Sequence, residues 1–452
     1  MKLLTPLGEI LGHTTDGVHQ FHSIPYCEPI TRQTRFNLPT LLTKWNEVLD
    51  ARHPGIICPQ NTSNLNAPMG EIDAPQDENS LTLTISTPSL DERLPVAVFF
   101  HGGAFCSGAG DLPWYDGQSL ARSAHCVVVG VNYRLGAFGH LHHPSINREN
   151  LSIEDQICAL EWIQVHIAHF GGDATRVTLF GQSAGANAIL HILSLPKTRG
   201  LFQNIILQSP SIGRGNHTMK NADAIGCEFL KAIGLNPTDP CVREKLSEKT
   251  TQDILRAMKE CTKVCGPQYQ NMIFKPVKDG WQTPQECIDA IVREAKIRGT
   301  RVIEGTTADE THAFSLLRDT DNLELLRKRQ ITLFDQPAQQ LAESLSSSGI
   351  AIWKYHFEWK APLSPYNSCH CIELPFVFGT YSHWHGAQML QGASDNEMQK
   401  LTQTMQTLWG QFLHKGRFDD DTWPVFQTQD KRHLIINNKD NPVRFWAPPI
   451  GE

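Results

Sequence analysis

No run of about 18 apolar residues occurs anywhere in this 452-residue sequence, which excludes a hydrophobic helix long enough to cross a bilayer. Met1-Lys2-Leu3-Leu4-Thr5-Pro6 lacks the apolar core of a secretory leader, so a cytoplasmic protein is expected. The alternative is export behind a leader preceding residue 1. Clusters of Lys and Arg are also missing. Lys431-Arg432-His433 is too short to form one, and the net charge is −7, so nucleic acid is not an expected partner. No internal repeat or low-complexity tract stands out. No CxxC or HxxxH pair is present to build a metal site, and no metal or organic cofactor is expected. The twelve cysteines are scattered, several of them inside apolar runs, such as Cys126 and Cys158, as buried free thiols usually are. Reduced thiols are expected.

An apolar fraction of 40% with 19% charged residues is ordinary for a globular enzyme. Strands are predicted at Val96–Phe100, Val127–Asn132, Val177–Phe180, Ile205–Gln208, Val302–Glu304 and Ala351–Phe357. Most are continuously apolar, as in a sheet covered on both faces. Helices fall between them. In Ser152–His169, apolar residues recur at steps of three and four, with Ser152 placed as N-cap. Met398, Leu401, Met405, Leu408 and Phe412 repeat the pattern, with Ser394 and Glu397 as a capping box and Gly416 as terminator. The alternation predicts an α/β fold: a mostly parallel central sheet flanked by helices, with helical insertions over one end. Residues 1–452 are read as a single domain, with about 213–299 and 311–369 as insertions.

The strongest local signal is Val177-Thr178-Leu179-Phe180-Gly181-Gln182-Ser183-Ala184-Gly185, an apolar strand running into Gly-x-Ser-x-Gly and then a helix over Ala184–Leu193. That context is what a nucleophile elbow requires: glycines allow the sharp turn, and Ser183 is lifted to the positive end of the following helix. A chance match in a Gly-rich turn is the competing reading. Upstream, Val98-Phe99-Phe100-His101-Gly102-Gly103-Ala104-Phe105 ends another strand in a loop poor in side chains. Such a loop lets backbone N–H groups approach a developing oxyanion; a plain Gly turn is its bland alternative.

These motifs, together with Phe21-His22-Ser23-Ile24-Pro25-Tyr26, Trp114-Tyr115-Asp116-Gly117, Asn132-Tyr133-Arg134-Leu135-Gly136, Glu154-Asp155-Gln156, Phe170-Gly171-Gly172-Asp173 and Trp423-Pro424, resemble the type-B carboxylesterases. That family also contains cholinesterases and several lipases, and the likeness to its bacterial members spans nearly the whole chain. The resemblance implies an α/β-hydrolase fold and hydrolysis of small carboxylic esters of short to medium acyl length through an acyl-enzyme. It implies oxyanion donors at the N–H groups of Gly103, Ala104 and Ala184, and Phe105 at the acyl pocket. It implies ion pairs Arg134–Asp173 and Arg35–Glu78. His370 precedes Cys371-Ile372-Glu373-Leu374-Pro375-Phe376-Val377-Phe378, which is similar to the family's His-x-x-Glu-Leu-Pro-Phe-Val-Phe motif and implies the catalytic base. Reading Cys369-His370-Cys371 as metal ligands is the rival, but adjacent side chains rarely converge on one ion.

For the acid, Asp309 and Glu310 are neighbours after a predicted strand, and spacing alone does not choose. The resemblance to the family's Gly-x-x-x-x-Glu pattern selects Glu310. Ser209 matches a family serine near the triad, or is a simple turn. The sequence also departs from the family. Gln182 stands before the nucleophile where many relatives have Glu, which argues against cationic substrates. Ser80 replaces a cysteine of secreted relatives, leaving Cys58 without its usual partner. Only 59 residues separate Glu310 from His370, so a trimmed lid and a more open gorge are expected. Competing functions are a lipase acting on water-insoluble esters and a non-catalytic adhesion module. Oligomeric state is open.

Overall fold

The computed structural model describes residues 1–269, 271–278, 284–315, 323–437 and 443–446. In chain order the strands are β1 (Lys2–Thr5), β2 (Gly8–Leu11), β3 (His13–Thr15), β4 (Val18–Pro25), β5 (Leu49–Asp50), β6 (Thr82–Thr87) and β7 (Leu94–Phe100). There follow β8 (Val127–Val131), β9 (Gly172–Gln182), β10 (Asn204–Gln208), β11 (Arg301–Thr307), β12 (Ile352–Phe357), β13 (His433–Ile436) and β14 (Val443–Trp446). Eleven of them form one sheet in the order β14-β13-β12-β11-β10-β9-β7-β8-β6-β4-β3, while β1, β2 and β5 make a small separate sheet. From β8 through β7, β9, β10, β11 and β12 to β13 every pairing is parallel. Both flanks of that run are antiparallel. All residues of β7 and β8 are buried, because helices cover both faces of a parallel sheet and every side chain must then be apolar.

All six predicted strands are present, within a few residues at most ends. The antiparallel flank is what the sequence conceals. In β4 and β6, His, Gln, Ser and Thr stand among the apolar residues, and even Gln20 and Thr84 are buried. Gln20 Nε2 donates to Asp116 Oδ1 at 2.7 Å, which compensates that polar burial.

The helix predicted over Ser152–His169 begins one residue earlier. It runs Leu151–His166 after Asn150 and continues as a short 3₁₀ turn, Ile167–Phe170. Ser152 therefore lies inside the helix and does not cap it. The late helix spans Asp395–Lys415, with the Ser394/Glu397 capping box formed and Gly416 in the left-handed conformation that ends it. Between β10 and β11 the described residues hold helices Met219–Ala232, Val242–Ser247, Thr251–Cys265 and Pro284–Arg298 and no strand. The 311–369 segment contributes helices Leu323–Gln330 and Gln336–Ser347 and also β12 of the main sheet.

Two ion pairs are buried in the fold. Arg35 grips Glu78, with Nε to Oε2 at 2.7 Å and Nη2 to Oε1 at 2.5 Å. Arg134 does not pair with Asp173, as the resemblance implied, but with Asp155: Nε donates to Oδ2 at 2.8 Å and Nη2 to Oδ1 at 2.5 Å. Asp155 sits in the second turn's reach of the helix that packs beside Arg134. Asp173 instead receives the N–H and hydroxyl of Thr175. Stripping a buried ion pair of one member typically costs about 3–5 kcal/mol. All twelve cysteines are free; burial pushes the Cys58 thiol up to about 12, so it behaves as a small apolar side chain that accepts the Leu135 N–H at 3.3 Å.

Candidate active site

The parallel strands all deliver their carboxyl ends to one side of the sheet, the side on which open α/β sheets bind ligands. β7 hands over His101–Phe105, β9 hands over Ser183, β10 ends at Ser209, β11 leads to Glu310, and β12 leads to His370.

Ser183 adopts φ +56 and ψ −117, a backbone state that costs about 1–3 kcal/mol and persists only where the surroundings impose it. They do. The Ser183 N–H is held by Gln208 O at 2.8 Å, and the helix Ala184–Ser194 starts at once. A Cβ on Gly185 would stand 1.9 Å from Phe100 O, so only glycine lets this helix seat against the end of β7. The elbow predicted from Gly-x-Ser-x-Gly is formed, with the serine partly open to solvent.

Glu310 and His370 meet in a fully buried contact. The imidazole Nδ1–H donates to Glu310 Oε2 at 2.5 Å, and Glu310 Oε1 accepts the Thr307 N–H at 2.8 Å. The acid and base loops are stitched together beside this pair, since Asp309 N–H donates to Ser368 O at 2.9 Å and Asp309 Oδ2 accepts Ser368 N–H at 3.2 Å. Spacing left Asp309 and Glu310 open; the contacts separate them into a loop fastener and the imidazole's partner. The rings of Phe314 and Phe334 pack on His370, each 5.2 Å between centroids.

With Nδ1 donating, Nε2 carries the imidazole lone pair. It is turned to the elbow, where the Gln182 side-chain amide donates to it at 3.0 Å. Among the described residues the Ser183 hydroxyl makes no hydrogen bond. The Gln182 amide thus occupies the imidazole lone pair on the side of the elbow. Sequence reading registered only its missing charge; nothing in the motif indicates that its side chain reaches the imidazole.

In the loop after β7, Gly103, Ala104 and Phe105 have successive φ values of +110, +55 and +59. Such a run turns consecutive N–H groups toward one concave point. A Cβ on Gly103 would lie 2.0 Å from Ser107 O, so this turn requires glycine. Cys106 and Ser107 spend their N–H groups on Gly103 O at 2.9 and 3.0 Å. Among the described residues the N–H groups of Gly103, Ala104 and Ala184 donate to no protein acceptor. Phe105 is buried edge-on against His140, 5.0 Å between centroids. Ser209, just past the end of β10, is fully buried, with its N–H on Gly305 O at 2.8 Å. A narrow cleft opens beside Gly102, Gly103, Gln182 and Cys371, walled by Met69 and Trp114.

Two further carboxyl groups, not singled out from sequence, crowd the acid. Burial and then the Glu310 charge push Glu373 up to about 8; the same two causes push Asp335 up to about 6. Glu373 Oε1 accepts from Gln208 at 3.3 Å. Held protonated near neutral pH, Glu373 adds no second negative charge beside Glu310. The unfolded chain releases that proton at the ordinary value of about 4.3. Above this the folded state binds more protons, and stability falls with rising pH until Glu373 ionises. The melting-temperature advantage of Glu373→Gln over wild type is therefore expected to grow by a few degrees from pH 5 to pH 8 and then level. Thermal melts across that range check it, and a flat or shrinking difference would contradict it.

The Carboxylesterase family profile matches residues 2–332 and 318–446 of the chain. A probable N-octanoylanthranilate hydrolase of Rhodococcus erythropolis is 34% identical, the match covering 96% of this chain and 97% of that protein. The para-nitrobenzyl esterase of Bacillus subtilis is 33% identical over 96% of this chain and 94% of its own. Among solved structures, a thermophilic PNB esterase superposes with a TM-score of 0.88 at 29% identity, covering 100% of this chain and 98% of the other. The fold is that of the α/β-hydrolases.

Proposed function

The chain belongs to the carboxylesterase family and is a serine carboxylesterase, and from that premise we propose that Ser183, His370 and Glu310 are its catalytic triad. The observation that carries this reading is the Glu310–His370 contact at 2.5 Å with the free imidazole nitrogen turned onto the elbow, 3.0 Å from Gln182.

An ester carbonyl enters above Ser183. The Gln182 amide swings aside, Nε2 of His370 takes the hydroxyl proton, and Oγ bonds to the carbonyl carbon. The carbonyl oxygen becomes an oxyanion facing the N–H groups of Gly103, Ala104 and Ala184, whose alignment is set before reaction and costs no reorganisation. As the tetrahedral adduct collapses, the C–O bond to the alcohol breaks and His370 returns its proton to the leaving oxygen. Water repeats the sequence and frees the acid. Glu310 keeps Nδ1 protonated throughout and stabilises the imidazolium. Every proton is accounted for by side chains, so the steps need no further group.

Small-molecule esters are the substrates, and short to medium acyl chains are the proposed range. Twelve free thiols support residence in a reducing compartment; among the described residues no helix is long and apolar enough to cross a membrane. Hydrolysis of p-nitrophenyl acetate and butyrate, followed by the absorbance of released nitrophenolate, is expected at kcat/KM of about 10⁴ M⁻¹s⁻¹ or more. p-Nitrobenzyl acetate, its p-nitrobenzyl alcohol product followed by chromatography, belongs in the same panel, since one relative is named for that ester type. No turnover of any member would overturn the reading.

A further inference from the structure

Beside the catalytic cleft, across Tyr115, which lines both, lies a second cavity of about 290 Å³. Its floor is the antiparallel flank of the main sheet. Side chains alternate between faces along a strand, and Gln20 and His22 on β4 and Thr84 on β6 all line this side. A bulge after Phe21, with Ser23 at φ +54, opens the β4–β6 pairing at His22. The loop that walls the cavity is seated hard on β8: a Cβ on Gly130 would stand 2.3 Å from Gly110 O. That seating brings Asp111 to His22 and, further along, Asp116 to Gln20.

Hydrogen bonds fix what the cavity offers. His22 Nδ1 donates to Asp111 Oδ1 at 2.7 Å, which leaves Nε2 as an acceptor. Gln20 Nε2 donates to Asp116 Oδ1 at 2.7 Å, so Gln20 Oε1 takes the His13 Nε2–H at 3.1 Å. His13 Nδ1 is then an acceptor, and among the described residues it has no partner. At the lip, His383 Nδ1 donates to Pro113 O at 3.1 Å. In their neutral form the three imidazoles have spent their N–H groups within the protein and keep only lone pairs. The buried Thr84 hydroxyl is likewise without a partner among the described residues.

The charges point the same way. Asp111 also accepts from the Ser23 hydroxyl and the Gly55 N–H, and Asp116 from the Gln118 N–H; these donors are neutral. Among the described residues neither carboxylate has a lysine or arginine within ion-pair distance, and Asp116 Oδ2 accepts nothing. Arg52 lines the cavity but is gripped by Asp50, Nε to Oδ1 at 2.8 Å and Nη2 to Oδ2 at 2.7 Å. Buried polar groups take partners. A surplus of acceptors beside two carboxylates met by no cation calls for a ligand that donates and is positively charged.

We propose that this cavity binds a small organic cation, an aliphatic ammonium or diammonium ion, apart from the ester in the catalytic cleft. An ammonium has three donors and no acceptor. It complements a wall that offers His22 Nε2, Thr84 Oγ1 and Asp116 Oδ2. No triad residue takes part.

Calorimetric titration of the purified protein tests this, comparing 1,4-diaminobutane with 1,4-butanediol, its neutral isostere. The diamine is expected to bind at least about tenfold tighter than the diol. Asp116→Asn removes the charge and keeps an oxygen for Gln20 and Gln118, and Thr84→Val removes only the unpartnered hydroxyl. Each is expected to weaken the diamine severalfold. Equal affinity for diamine and diol, no diamine binding at about 10 mM, or a diamine affinity unchanged in either variant would overturn the proposal. Should a variant fail to fold, a wild-type crystal soaked in the diamine decides it. Density between His22 and Asp116 supports the site, and an empty cavity overturns it.

Discussion

Ser183→Ala is expected to lower kcat toward p-nitrophenyl butyrate by about 10⁵–10⁶, the scale seen when a triad nucleophile is removed. The loss follows from the mechanism's one covalent step: without Oγ no acyl-enzyme forms, and only oxyanion donors and binding remain to accelerate attack by water. The fold should be indifferent. The Ser183 backbone is fixed by the Gln208 carbonyl and the close seating of Gly185, and its hydroxyl makes no hydrogen bond among the described residues, so alanine inherits the same turn. Initial-rate kinetics alongside a thermal melt checks both halves. Activity within tenfold of wild type in a folded variant would remove Ser183 from the chemistry.

Glu310→Gln should cost about 10⁴ in kcat, through the imidazole tautomer. In the wild type Oε1 is occupied by the Thr307 N–H and Oε2 accepts from His370 Nδ1. A glutamine there keeps its carbonyl oxygen toward Thr307 and presents its amide N–H groups to the imidazole. Nδ1 must then accept, the ring proton moves to Nε2, and the nitrogen facing the elbow loses the lone pair that Ser183 needs. Steady-state kinetics reads the size of the effect, and a nitrogen-15 imidazole spectrum reads the tautomer. A loss below about tenfold, with Nδ1 still protonated, would show that Glu310 does not set the base.

Much of this site was legible from sequence because its parts are constrained by steric rules that leave marks in residue type. Glycine at 185 and 103 is demanded by approaches of 1.9 and 2.0 Å, and the apolar strand before Ser183 is demanded by burial on both faces. His370 and Glu310 were legible only through resemblance. Nothing in a loop's composition says that two loops 59 positions apart will be stitched at Asp309 and Ser368. Long-range side-chain choices were less legible still. Arg134 selects Asp155 over Asp173 because Asp155 projects from a buried helix into the guanidinium, whereas Asp173 is satisfied locally by Thr175. The Gln182–His370 contact and the crowding of Glu373 and Asp335 against Glu310 depend on where loops close. The antiparallel flank escaped because polar residues stand among its apolar ones, and the buried Gln20 is satisfied by Asp116, far along the chain.

The most direct test of the central claim is reaction with a fluorophosphonate, followed by peptide mass spectrometry. Attack by an activated serine displaces fluoride and leaves a phosphonyl ester. The account predicts one adduct per chain, carried by Ser183, appearing in step with loss of esterase activity and absent from His370→Ala. An unlabelled protein that still hydrolyses esters, or a label on another residue that tracks the loss of activity, would contradict it.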